Sequence, residues 1–76
     1  MTLRDLRLSA GWTQARLSDA LGVSAPYLSQ VEAGAKPLPI ERAAEIVALL
    51  GVPEGERDAM IGRLLLTHAA MTRGGA

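Results

Sequence analysis

Glycine recurs at positions 11, 22, 34 and 51, each time just past a run whose apolar residues fall at helical spacing. A residue without a Cβ accepts the left-handed backbone that closes a helix, so each of these glycines reads as a stop. The starts are marked as clearly. Thr2 with Asp5 three residues on resembles a capping box, and Thr13 and Ser24 are cap residues standing before the next two periodic runs. Leu3, Leu6 and Ala10 are then expected to line a first helix, Leu17, Ala20 and Leu21 a second, and Leu28 and Val31 a third. Pro26 falls in the first turn of the third helix, where a missing N–H is harmless. Ala35-Lys36-Pro37-Leu38-Pro39 cannot be regular helix, and its two prolines predict an extended connector. A fourth helix is expected from about Ile40 to Leu50, with Ala43, Ile46, Val47 and Leu50 inward, closed by Gly51 and Pro53. A fifth is expected from about Pro53 to Met71. Its acids Glu54, Glu56 and Asp58 sit at the N-terminal end and Arg63, His68 and Arg73 later, as the helix dipole favours. Residues 72–76 are expected to fray. Punctuation this dense permits short helices and little else, so the expected fold class is all-α, a five-helix bundle.

Composition sharpens this. With 76 residues the chain is near the lower size at which a single core suffices, and it has no cysteine to staple it. Hydrophobic residues make up 49% of it, yet there is no Phe, one Trp and one Tyr, so the core must be aliphatic. That suits packed helices better than a sheet sandwich. No apolar run approaches the ~18–20 residues that cross a bilayer. The start, Met1-Thr2-Leu3-Arg4-Asp5, lacks the charged-then-apolar layout of a signal peptide. A soluble, cytoplasmic protein with no membrane partner is the expectation. An enzyme is not expected: there is no Cys, one His, no suitably clustered carboxylates and no Gly-rich phosphate loop. No cofactor is called for, and His68 has no matching ligand for a metal.

The informative stretch is residues 13–34. Two helices of under ten residues are joined by about three residues containing Gly22, the layout of a helix-turn-helix. Ser18 is small where the second helix must cross, and Leu17, Leu21, Val23, Leu28 and Val31 are the apolar contacts that would fix the crossing angle. With that angle fixed, the N-terminal end of the second helix of the pair can enter a major groove. The net charge of zero weighs against tight non-specific binding, since DNA binding leans on displaced counterions. Five of the eight basic residues nevertheless lie in the first 42 positions, and a dimer can reach through two half-sites what a monomer cannot.

Leu6-Arg7, Gly11, Thr13-Gln14, Leu17, Gly22-Val23-Ser24, Tyr27-Leu28-Ser29, Glu32, Gly34, Lys36, Pro37 and Leu50-Gly51-Val52 together resemble the Xre/Cro and phage-repressor helix-turn-helix family. The resemblance spans residues 3–52, about two thirds of the chain, and its many spaced positions make it far more specific than a short motif. Ser18 departs from the usual Ala, and Ala33 from the usual basic or amide residue, which removes a phosphate contact. The resemblance implies a repressor-like domain that binds double-stranded DNA. Gln14 would bond a phosphate at a helix N-terminus that itself favours anions. Ser24, Ala25, Pro26, Tyr27, Ser29 and Gln30 would occupy the recognition helix. Gln30 is the best base reader, because its amide can pair with adenine N6 and N7. Tyr27 can reach a phosphate or a thymine methyl, and Ser29 a phosphate or a base edge. Lys36 is the expected backbone clamp. Arg7 and Glu32 would form an internal ion pair, and Trp12 a cover over the helix junction.

The last helix is unusually apolar. Met60, Ile61, Leu64, Leu65 and His68 suggest a homodimer seam, with Leu66 outside the stripe they set. The division expected is a helix-turn-helix core over residues 1–52 and a dimerising C-terminal helix over 53–76, within one compact domain. The expected function is a homodimeric transcriptional regulator, most simply a repressor on a palindromic operator. The alternative is an antitoxin or adaptor whose last helix also holds a protein partner such as a toxin.

Overall fold

In the computed structural model, which describes residues 1–74, five helices follow in order: α1 (Leu3–Ser9), α2 (Gln14–Leu21), α3 (Ala25–Glu32), α4 (Ile40–Leu49) and α5 (Arg57–Gly74). No strand is present among the described residues. A 3₁₀ turn, Glu54–Glu56, leads into α5, so the last α-helix begins a turn later than the acids suggested and continues through Gly74. Residues 75 and 76, where fraying was also expected, lie outside the described residues.

The side-chain caps are local and complete at three helix starts. Thr2 Oγ1 accepts from the Asp5 N–H and the Asp5 carboxylate accepts from the Thr2 N–H, each at 3.0 Å. These bonds, backbone first, hold the Asp5 carboxyl below the usual carboxylate range. Thr13 and Ser24 accept from Arg16 and Tyr27 in the same way. Helix ends also share a device. At Gly22, φ is 71° and the Val23 N–H donates back to the Ser18 carbonyl at 3.0 Å, which turns the chain from α2 into α3.

The core is aliphatic, built from Leu3, Leu6, Leu17, Leu21, Leu28, Val31, Leu38, Ala43, Ile46, Val47, Leu50, Val52 and Leu64. α5 packs chiefly on α4, and α2 on α3. Trp12, Val23, Tyr27, Met60, Ile61 and Leu65 cover its edges. Two expectations need correction, and one core residue was not foreseen. Ala10 and Ala20 are exposed: Ala10 is the C-cap beyond the last turn of α1, and Ala20 lies off the face of α2 that buries Leu17, Ser18 and Leu21. Leu38, between the two connector prolines, is buried; an isolated apolar residue carries no period to reveal it. Leu64 and His68 face into the chain, being 1% and 8% exposed, and are not available to a seam.

Candidate nucleic-acid interface

The orientation of α3 is set from behind by one polar cluster. The Arg7 guanidinium reaches across from α1 and meets Glu32 twice, Nε to Oε2 at 2.6 Å and Nη2 to Oε1 at 3.1 Å. Its Nη1 donates to the Trp12 carbonyl at 2.8 Å. Both side chains are buried, so the fork-to-fork geometry matters: each buried charge is matched by its partner and by further hydrogen bonds. Among the described residues, no buried side-chain N or O lacks a partner.

Gln14 joins this cluster. Its Nε2 donates to Glu32 Oε1 at 3.0 Å, and the side chain is half-buried. The amide nitrogen expected to serve a phosphate is therefore drawn inward by a carboxylate. One N–H and the amide oxygen remain uncommitted, so Gln14 acts first as a brace between the start of α2 and the end of α3.

The front of α3 is open. Ser24, Ala25, Pro26, Ser29 and Gln30 are all exposed, and Tyr27 is half-buried against the core. The Ser24 oxygen is already an acceptor for the Tyr27 N–H at 3.1 Å, which leaves its hydroxyl proton to donate outward. Ser18, where the helices cross, is 2% exposed, and its hydroxyl donates to the Ala15 carbonyl at 3.0 Å. A hydroxyl in place of a methyl is thus satisfied rather than stranded.

Between α1, the start of α2 and α3 lies an open surface pocket of about 580 Å³. Arg4, Trp12, Thr13, Gln14, Ser29 and Ala33 are among the residues lining it. Arg4 is exposed at this opening and was not named by reasoning from the motif. Its spacing of three from Arg7 on α1 was the available signal, since it puts both on one helix face. Arg16 lies over the Trp12 ring at 3.8 Å, a cation–π contact that keeps a second guanidinium beside the same opening. α3 itself carries no basic residue.

A helix-turn-helix domain family profile matches residues 1–60. The chain belongs to the helix-turn-helix domain family. DNA binding is the activity that goes with this membership, and the helix-turn-helix here is α2–Gly22–α3. Comparison with curated proteins and with solved structures returned no significant match. Among its described residues, the helix-turn-helix protein has no helix long and apolar enough to cross a membrane.

Proposed function

We infer that this helix-turn-helix protein is a sequence-specific regulator of transcription that binds double-stranded DNA as a homodimer, most simply as a repressor on a palindromic operator. The observation that carries this reading is the contrast within α3: its rear is fixed by a buried ion pair, while Ser29 and Gln30 stand exposed to solvent. A helix held this rigidly and left bare on one face is suited to a major groove. Gln30 reads adenine, Ser29 and Tyr27 contact base edges or phosphates, and Ala25 and Pro26 offer apolar contact alone. Lys36 and Arg4 supply cations to the phosphates, aided by the helix N-termini.

Dimerisation follows from the weak charge and from α5. Leu66 is 75% exposed. On its helix face stand Gly62, Ala69 and Ala70, with the exposed Arg63 beside them, and a Cβ added at Gly62 would meet nothing within 4 Å. Small residues around one exposed leucine allow a second backbone to approach closely. The seam proposed is therefore this face, with Ile61, Leu65 and Met60 at its margin. A protomer measuring 34 × 25 × 20 Å is of the right size to set two α3 helices one DNA turn apart, about 34 Å. The same exposed Leu66 supports the second reading, an antitoxin or adaptor whose α5 holds a different protein.

Selection of duplexes from random sequence, with sedimentation of the free protein, tests both. A palindromic consensus with a dimer supports the regulator. A stable monomer that binds asymmetric sites favours the adaptor, and no binding at low salt would sink the DNA reading. Leu66→Arg is expected to give folded monomers, since the residue touches no core. A Leu66→Arg protein that remains a dimer would place the seam elsewhere.

A further inference from the structure

The connector after α3 is not held by its own turn alone. The Lys36 N–H donates to the Gln30 carbonyl at 3.3 Å, beside the Ala35 N–H at 2.9 Å, which closes α3. On the other side of the same residue, His68 Nε2 lies 2.8 Å from the Lys36 carbonyl oxygen, across 32 residues of sequence. A carbonyl only accepts, so Nε2 carries the proton and donates. One turn away, Gly34 lies so close to α5 that an added Cβ would be 3.2 Å from Met71 Cβ, and Leu38 and the flanking prolines fix the rest. The lysine side chain itself is exposed. An exposed, flexible cation thus grows from a backbone fixed at both its N–H and its C=O.

We propose that His68 is a positioning residue for Lys36: its hydrogen bond from α5 holds the Lys36 backbone where the ammonium meets a DNA phosphate. The inference rests on the DNA-binding reading above. A His donor is not needed to complete the core, because a leucine or methionine would fill that volume. What the imidazole adds is one N–H aimed at the connector that follows the recognition helix. The side chain of lysine is long and its contact is a point charge, so a backbone left loose would spread that charge over many positions and weaken the contact.

The test is the salt dependence of binding, measured on a duplex selected by the wild-type protein from random sequence. Each lost phosphate contact lowers the slope of log K against log salt by about 0.9. Lys36→Ala is expected to lower it by that amount per protomer. His68→Leu and His68→Ala are expected to lower it equally, although Lys36 is still present, and to do nothing further in the Lys36→Ala background. His68→Gln, whose amide can donate from a similar place, is expected to restore the slope. A merely structural histidine would change thermal stability and leave the slope of the folded protein untouched. The inference is overturned if His68→Leu keeps the full slope, or if His68→Leu still lowers it once Lys36 is gone. Should His68→Ala and His68→Leu not fold, His68→Gln and His68→Asn decide: a donor too short to reach must lose the slope that the longer one keeps. Failure of the wild-type protein to bind any duplex at low salt overturns the DNA reading and the inference together. Binding with unchanged variants overturns the inference alone.

Discussion

The two ends of α3 are built to opposite rules. At its C-terminal end, Glu32 receives both Arg7 and Gln14, and the following residues are tied to α3 and to α5. At its N-terminal end, Ser24, Ala25 and Pro26 are exposed, and the cap is a single hydroxyl. Stability is concentrated in the buried side of an eight-residue helix, and the proposed base contacts, Ser29 and Gln30, are exposed within one turn of that anchor. Substitutions should therefore separate cleanly into those that unfold the protein and those that change what it reads.

The largest effect expected is from Glu32→Ala. It leaves the buried Arg7 guanidinium without its counter-charge, at a cost of about 3–5 kcal/mol. A domain of this length has roughly 4–11 kcal/mol in total, so chemical denaturation should show a protein near its unfolding limit. A loss under ~1 kcal/mol would mean that the rear of α3 is not its anchor. Next comes Gln30→Ala. Folding stability is expected to stay within about 0.5 kcal/mol, while preference for the selected site falls by roughly 1–3 kcal/mol and discrimination relaxes at one base pair. Unchanged discrimination would remove Gln30 as a reader and leave the exposed side of α3 without its base contact. Ser24→Ala should cost about 1 kcal/mol of stability through the lost cap, read by thermal melting. The smallest effect is the pH dependence carried by Asp5. Its carboxyl is held below its ordinary value by the capping box, so the stability it adds is present above about pH 4 and fades as pH falls through its lower, folded-state value. Comparison of wild type with Asp5→Asn by acid titration should show convergence of the two at the acid end. Curves that stay parallel throughout would refute this.

Local signals were legible and distant ones were not. Caps at Thr2, Thr13 and Ser24 and the stops at glycine are written within a few residues of the places they act, which is why the helix order could be read off the chain. Leu38 could not be, since two prolines interrupt any period around it. α5 was ambiguous for a different reason: periodicity sets Leu66 apart from the stripe of Ile61, Leu64, Leu65 and His68, but with apolar residues on both faces it does not say which face meets the core. The brace made by Gln14 joins residues 18 apart. No local pattern distinguishes an amide that waits for a phosphate from one already engaged by a carboxylate in the next helix. Arg4 was passed over because nothing local to it shows that α1 places it beside the start of α2 and the exposed side of α3.

The contact of α5 with the connector has a consequence for regulation. Both Gly34 and the Lys36 carbonyl rest against the helix whose opposite face carries Leu66. Any coupling between these two faces would run through this one helix, and linkage is reciprocal by thermodynamic necessity. If docking at Leu66 tightens DNA binding by some factor, DNA must tighten docking by the same factor. The domain would then respond to its own concentration more steeply than one site alone allows.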